Sequence, residues 1–298
     1  IAAVQDHGKP IVSWATGGEF SQGLIRKLEE AGVPTYPTSE RVVNAAQGLI
    51  EAGESKEWGS PAPITADREL ASQVFKKTQS EGRDMLTEIE SKDVLRAYGI
   101  KTTTEYVAGT ASEASSYASK LGYPVVLKVL SPEITHKSDV GGVMTNLRTP
   151  EEVSDAFEKI MANVKNRRPE ARIQGVVVEN QLPPGLEVIV GSIFDRDFGP
   201  VVAFGLGGVF VEVLRDLSYG LAPVSEKEAL EMISSTKASR LLQGVRGEPP
   251  VDISKLVNLI MRASLLAFEQ QIAEMDLNPV ITSADSCAVA DARIRISN

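Results

Sequence analysis

One segment of the chain places a histidine among residue types suited to phosphate chemistry. An apolar run delivers Lys128, a loop carrying His136 and Lys137 follows, and the glycines Gly141 and Gly142 come next. Imidazole is largely neutral and nucleophilic near pH 7, so it can accept a phosphoryl group and later release it. Glycine lets backbone N–H groups approach an anion closely. We therefore interpret His136 as a candidate nucleophile and Lys137, Gly141 and Gly142 as a phosphate-binding loop beside it.

Two alternatives stand against this interpretation. The chain has a second histidine, His7, without such neighbours, and His136 could equally be a polar loop residue with no chemical role. Lys128 lies within an otherwise apolar strand, where a lysine costs free energy unless its ammonium meets an anion. It is therefore a candidate ligand of nucleotide phosphates, and the alternative is a strand face open to solvent.

The sequence VVVENQLPPGLEVIVG contains a second group of candidates. Glu179 ends an apolar strand and Glu187 begins the next, with a Pro-Pro-Gly connection between them. Such a crossover can act as a hinge that offers backbone groups to a base and carboxylates to ribose hydroxyls. Asn180 and Gln181 belong to the same candidate nucleotide-binding group. A plain hairpin with solvated ends is the alternative.

The C-terminal sequences DLNPV and VADARIRI supply candidate metal ligands. Asn278 and Asp291 offer an amide oxygen and a carboxylate, which suit Mg²⁺, a cation that usually takes one or two protein ligands plus substrate phosphates. Asp276 is a nearby alternative ligand. Arg293 follows Asp291 by two residues, so it lies on the same face of a strand and could meet phosphates. Turn formation is the competing role for Asx residues at strand ends.

Composition limits the protein class. The chain has 298 residues, enough for two domains, and its net charge of −9 argues against a nonspecific nucleic-acid binder. The single cysteine, Cys287, excludes an intramolecular disulfide and a cysteine metal cluster, so a cytoplasmic location is expected. The apolar runs are too short for a membrane span. The first residues lack signal-peptide features, and we expect residue 1 to be a cut end within a longer protein.

The order of predicted elements indicates an α/β segment followed by an α+β domain. Residues 1–53 read as the last β-α-β-α of a flavodoxin-like or Rossmann-like layer, with strands at 11–15 and 33–36. Residues 54–84 read as a linker with a helix near 68–78, and residues 85–298 as the second domain. Helices with capping boxes alternate there with strands that form largely antiparallel sheets. The later predicted strands lie near 125–130, 142–147, 175–179, 186–191, 200–205, 209–214, 272–282 and 288–296.

From about Leu86 to Asn298, these motifs resemble the ATP-grasp domain of the ADP-forming acyl-CoA synthetases, in the succinyl-CoA synthetase superfamily. The segments LTEIESKDVLRAYGI, PVVLK, SPEITHKSDVGGV, LEVIVG, FGPVVAFGLGGVFVEV, GVRGEPP and DLNPV occur in the family's order. Residues 1–53 resemble the end of the family's succinyl-CoA-ligase-like domain. The resemblance implies an ATP-grasp fold preceded by a fragment of that flavodoxin-like domain.

The resemblance also implies a function. Members interconvert acyl-CoA, ADP and phosphate with the free acid, ATP and CoA, through an acyl phosphate and a phosphohistidine. His136 matches the histidine that carries phosphate into the ATP-grasp site. Lys128, Glu179 and Glu187 fall where the family binds nucleotide, and Asn278 and Asp291 where it binds Mg²⁺.

The same resemblance sets the expected partners and leaves one rival. The family's CoA-binding portion, with a further phosphohistidine, has no counterpart in this sequence, so the chain alone is expected to be inactive. Its expected partners are ATP or ADP, phosphate, CoA, a small carboxylic acid and that missing portion, in the same protein or an α subunit. A homo-oligomer is also possible from the sequence. Related modules occur in protein acetyltransferases as nucleotide-sensing or scaffold regions, which is the alternative function.

Overall fold

The chain divides into two units, Ile1–Trp58 and Gly59–Asn298. The computed structural model describes residues 10–16, 19–53, 61, 63–134, 136–207, 216–237, 239–244, 249–270 and 272–297. His7 and the predicted strand at 209–214 lie outside the described residues. Among the described residues, no helix combines the length and the apolar character needed to cross a bilayer.

The first unit is a small parallel β-α-β-α arrangement, as the sequence predicts. Its elements are β1 (Ser13–Trp14), α1 (Glu19–Glu30), β2 (Thr35–Tyr36) and α2 (Ser39–Gly53). Ser13 lies opposite Thr35 in a parallel pair, and both strands are shorter than predicted. Val33 is buried, whereas Val43 and Ile50 on α2 are exposed. The two-residue strands therefore provide few positions at which apolar side chains can be buried.

The second unit contains two antiparallel sheets with helices packed on them. Its helices are α3 (Arg68–Ser80), α4 (Glu88–Ala97), α5 (Ala111–Leu121), α6 (Pro150–Arg167), α7 (Glu226–Ser235), α8 (Ser239–Leu242) and α9 (Ile253–Glu269). Its strands are β3 (Glu105–Ala108), β4 (Val125–Leu130), β5 (Val143–Leu147), β6 (Gly175–Asn180), β7 (Leu186–Asp195), β8 (Gly199–Leu206), β9 (Leu217–Leu221), β10 (Ile272–Thr282), β11 (Cys287–Val289) and β12 (Ala292–Ile296).

In the described part of the unit, one sheet has four strands in the order β3-β6-β4-β5. The other has six, with β11-β10-β7-β8-β9 in sequence and β12 also paired to β10. Each sheet has its own hydrophobic core. The β6–β7 connection passes from one sheet to the other, so it is a crossover and the alternative of a plain hairpin is wrong.

Helix patterning in the sequence is confirmed at the ends and on the buried faces. Thr87 caps α4 and Ser225 caps α7, each through a complete capping box. The apolar residues Val153, Phe157 and Ile160, spaced along one face of α6, are buried. Since the helix ends satisfy their own N–H groups and the apolar faces cover the sheets, both layers follow from local sequence signals.

Two elements differ from the sequence prediction. The helix predicted near 68–78 is present as α3, but its Ala71 and Phe75 are buried in a core of the second unit, so this part of the predicted linker belongs to that unit. The strand predicted at 288–296 is two strands, β11 and β12, separated at Ala290 and Asp291. The second difference shapes the candidate site.

Candidate functional site

An interruption shared by neighbouring strands brings two predicted metal ligands together. Pro279 has no N–H to donate, and the register of β10 shifts between Leu277 and Val280. Directly opposite, β11 gives way to β12. The Asn278 N–H donates to the Asp291 carbonyl at 3.2 Å, so the predicted ligands Asn278 and Asp291 lie at the same break in the sheet.

A cavity of about 470 Å³ lies at this break. Its lining includes Asp276, Asn278, Asp291 and Arg293 from the six-stranded sheet and His136 from the loop after β4. His136 is exposed. Arg293 lies opposite Asp276 on the adjacent strand and donates to Glu274 at 3.2 Å. The structure therefore gathers the candidate nucleophile and every candidate metal ligand around one cavity.

A buried ionic cluster, whose member Glu88 lines the cavity, joins the two sheets. We define the charge cluster as Glu88, Lys92, Glu105, Lys128 and Glu179. The Lys128 ammonium lies 2.9 Å from Glu88 Oε1 and 2.7 Å from Glu179 Oε1. It also donates to the Ala290 carbonyl, beside the break, at 2.9 Å. Every residue of β4 is buried, so the solvent-facing alternative for Lys128 is wrong.

Lys92 is the second cation of the cluster and is fully buried. Its ammonium lies 2.9 Å from Glu88 and 2.6 Å from Glu179. It also donates to the Thr103 hydroxyl at 2.7 Å. An ammonium removed from water needs such partners, because an uncompensated buried charge costs several kcal/mol.

The cluster shifts the ionisation of its members. Burial alone would raise the pKa of Glu88, but Lys128, Lys92 and Lys137 lower it well below its ordinary range. Burial would lower the pKa of Lys128, which Glu88 and Glu179 instead raise. Burial raises the pKa of Asp291, and the nearby Glu88 charge raises it further. Glu88 is thus an anion at neutral pH, and burial is the main cause of the raised pKa of Asp291, which the charges of nearby lysines oppose.

The structure corrects the predicted phosphate loop. We define the histidine loop as residues 131–134 and 136–142. The Gly141 N–H donates to the Ser138 carbonyl at 3.0 Å, and the Gly142 N–H donates to the Lys137 carbonyl at 2.8 Å. A Cβ on Gly142 would come within 2.6 Å of Val129. Both glycines therefore close the loop on itself, and their N–H groups are not directed at an anion.

The residues of the β6–β7 crossover also differ from expectation. The Glu179 carboxylate is buried and accepts from Lys92 and Thr103. Asn180 Oδ1 accepts from the Thr104 N–H at 2.7 Å, and Gln181 Oε1 accepts from the Asn146 N–H at 2.6 Å. These three side chains fix the crossover and do not face the cavity. Glu187 is exposed, so its carboxylate is open to a ligand.

Glu88 and Lys92 are the site residues that the sequence reasoning missed. They stand four residues apart on α4, on the face that also buries Ser91 and Leu95. Two opposite charges on the buried stripe of a helix are unusual, since charged residues are rarely buried unless paired. That spacing was the available signal.

Comparison with known proteins agrees with this geometry. Residues 77–296 match the ATP-grasp domain family. The beta subunit of ADP-forming acetate–CoA ligase I from Pyrococcus furiosus is 45% identical over 225 residues, which cover 75% of this chain and 97% of that subunit. The ADP-forming 4-hydroxybutyrate–CoA ligase of Nitrosopumilus maritimus is 41% identical over 275 residues, 90% of this chain. The chain spans only 39% of that longer relative.

A solved structure supports the same fold. It is the dinucleotide-forming acetyl-coenzyme A synthetase 1 of Ca. Korarchaeum cryptofilum in complex with coenzyme A and Mg-AMPPCP, with its phosphohistidine segment pointing towards the nucleotide-binding site. The TM-score is 0.68 at 43% identity, over 76% of this chain and 100% of that one. The chain therefore belongs to the ATP-grasp family, in the group that includes the beta subunits of ADP-forming acetate–CoA ligases.

Proposed function

We propose that this chain is the nucleotide-binding, phosphoryl-transfer part of an ADP-forming acyl-CoA synthetase. In the complete enzyme, acyl-CoA, ADP and phosphate would be converted reversibly to a carboxylic acid, ATP and CoA. One observation carries the proposal. An exposed histidine, His136, shares a cavity with Asp276, Asn278 and Asp291, a donor set suited to a nucleotide-bound cation.

The donor set fits Mg²⁺. Asn278 and Asp291 offer two hard oxygen ligands at one break in the sheet, with Asp276 beside them. Asp291 is partly exposed, and its only described cationic partner is Lys137, 3.4 Å away. Burial is the largest cause that raises the pKa of Asp291, so a bound cation would compensate a carboxylate that has lost much of its contact with water. When bound, Mg²⁺ would neutralise charge on the nucleotide phosphates.

The phosphoryl step would use His136 as the nucleophile. In the ATP-consuming direction, a neutral imidazole nitrogen attacks the γ-phosphorus of ATP with its lone pair. The N–P bond forms as the bond from that phosphorus to the β–γ bridging oxygen breaks, and ADP leaves with that electron pair. In the synthetic direction, ADP attacks phosphohistidine and the imidazole is released. Positioning and charge neutralisation are the main requirements of such transfers.

The remaining candidates would serve the nucleotide in different ways. Lys128 would exchange a carboxylate partner for a phosphate oxygen, and Arg293, on the cavity wall, would meet the phosphates. Glu187 has the exposed carboxylate that a ribose hydroxyl would need. Glu179, Asn180 and Gln181 would contribute by holding the crossover in place, and Lys137 by holding the histidine loop.

The rest of the enzyme would supply CoA binding and the acyl site. Residues 1–53 would belong to a succinyl-CoA-ligase-like domain. We place the enzyme in the cytoplasm, where the nucleotide and CoA are available. The ligase relatives favour this function over a regulatory role in a protein acetyltransferase.

Calorimetry tests the proposal directly. ADP should bind in the presence of Mg²⁺, and Asp291→Asn should weaken the magnesium-dependent affinity by more than about tenfold, since even outer-shell changes at metal sites cost that much. Asp285→Asn, at an exposed position in the turn between β10 and β11, is the matched control and should bind normally. Absence of magnesium-dependent binding in the unaltered chain would refute the proposal.

A further inference from the structure

The residue after the candidate nucleophile makes the most buried ion pair between the histidine loop and the rest of the described unit, beside the apolar contacts of Ile134 and Val140. The Lys137 side chain is 13% exposed, and its ammonium lies 2.7 Å from Glu88 Oε2. A second carboxylate, that of Asp291, lies 3.4 Å away. Lys137 thus ties the loop to α4 and, more weakly, to the break in the six-stranded sheet.

Glu88 is suited to receive this cation. Its Oε1 accepts from Lys92 and Lys128, each at 2.9 Å. Its Oε2 is buried and accepts no directed hydrogen bond from the described residues. The Lys137 ammonium is the partner that the structure shows for this oxygen. Departure of Lys137 would therefore leave a buried carboxylate oxygen without its counter-charge, which is costly.

The helix end that carries Glu88 is held by several hydrogen bonds. Glu88 is the first residue of α4, and the Thr87–Glu90 capping box fixes that end of the helix. Arg83 donates to Glu90 at 2.9 and 3.0 Å and so braces the box from outside. The carboxylate is therefore held in place, and the lysine on the loop is the movable partner.

The other polar contacts between the histidine loop and helix α6 lie mostly at the C-terminal end of the loop. Asn163 of α6 donates to the Gly141 carbonyl at 3.2 Å, and Arg167 donates to the Asp139 carbonyl at 2.5 Å. On the other side of His136, the buried Ile134 side chain provides an apolar contact. The ion pair next to His136 is thus the charged contact best placed to control where the imidazole lies.

We propose that the Lys137–Glu88 ion pair is a latch that holds the histidine loop against the cavity, and that the loop leaves the cavity only when this pair opens. Lys137 and Glu88 are positioning residues in this scheme. This inference rests on the proposed function, in which His136 must move because a phosphoryl carrier serves two sites. The ion pair itself needs no bound nucleotide.

Hydrogen exchange on the nucleotide-free chain tests the latch. The reporter amides are Ile134, Gly141 and Gly142, which are hydrogen-bonded within the loop. Lys137→Gln should accelerate their exchange by at least about tenfold, equivalent to about 1.4 kcal/mol. Amides of β6 should be unaffected. Lys76→Gln, an exposed lysine on α3, is the matched control and should change nothing.

Two further variants separate a latch from a general structural role. Lys137→Arg keeps the charge and should restore slow exchange. Glu88→Gln should accelerate the loop amides as Lys137→Gln does, and the double variant should exchange no faster than the faster single variant. Unchanged exchange in Lys137→Gln, equal acceleration in β6, or additive effects of the two changes would overturn the latch. Because no nucleotide is used, failure here is distinguishable from failure of the proposed function.

Discussion

The Glu88 carboxylate shows how one residue can organise a site. It lies within 2.9 Å of the ammonium groups of Lys92, Lys128 and Lys137. Each lysine alone would be costly to bury, and each comes from a different element. Their shared anion makes the burial tolerable and fixes the distances between helix α4, strand β4 and the histidine loop.

This arrangement gives stability a defined pH dependence. The lysines hold the pKa of Glu88 below its ordinary value of 4.5. A carboxylate with a lowered folded-state pKa contributes stability that is present above the unfolded-state pKa and is lost as pH falls. Glu88→Gln should therefore lower the free energy of unfolding at pH 7, and its deficit relative to the unaltered chain should shrink below about pH 4.5.

Denaturant unfolding across pH 3–7 measures that difference. Asp291 acts in the opposite direction, since its pKa is raised, and it is present in both chains that are compared. Glu151→Gln, an exposed glutamate on α6, is the matched control and should show no comparable trend. A deficit for Glu88→Gln that stays constant or grows as pH falls would show that Glu88 is not held as an anion.

Among the elements, the histidine loop depends on one close backbone approach. A Cβ on Gly142 would lie 2.6 Å from Val129 Cγ1 and 3.0 Å from the Lys137 carbonyl oxygen. Gly142→Ala should therefore destabilise the second unit by roughly 1–3 kcal/mol, the usual cost of overpacking. The Gly142 amide, bonded to Lys137, should also lose protection from exchange.

A glycine with more room provides the control for this change. At Gly109 the nearest atom to an added Cβ is the Glu113 carboxylate, 3.4 Å away. Gly109→Ala should therefore change the unfolding free energy by much less, as measured by denaturant titration. Equal effects of the two substitutions would mean that the close approach at Gly142 is not what shapes the loop.

The strands show where sequence reasoning succeeds and where it stops. Most strand positions and the crossover after β6 follow from apolar runs and turn residues. The break between β11 and β12 does not follow from such signals, because it lies opposite Pro279 on the neighbouring strand β10. The sequence could place Asn278 and Asp291 at strand ends, but only the paired interruption shows that they adjoin.

At the scale of the whole molecule, the fold class and the family follow from ordered motifs, whereas the buried contacts do not. Lys128 and Glu88 are 40 residues apart, and Lys137 and Asp291 are 154 apart. Pairings of that kind depend on how the sheets are assembled, and local periodicity carries no information about them. For the same reason, the sequence predicts a ribose ligand at Glu179, whereas the structure buries its carboxylate against Lys92 and Thr103.

The overall charge of the chain also differs from the local charge at the site. The chain carries a net charge of −9, yet the charge cluster taken together with Lys137 has three carboxylates and three ammonium groups and is balanced. A uniformly acidic site would repel a nucleotide. With this balance, and with Arg293 on the cavity wall, the proposed phosphate site is not uniformly acidic.

Phosphorylation of His136 tests most directly whether this residue carries the phosphoryl group. After incubation with ATP and Mg²⁺, mass spectrometry of the peptide that contains His136 should find an acid-labile, base-stable phosphoryl group on the imidazole. His136→Asn should abolish the modification and leave ADP affinity nearly unchanged, because the imidazole need not hold the base or ribose. An unmodified His136, or the same modification in the Asn variant, would contradict the account.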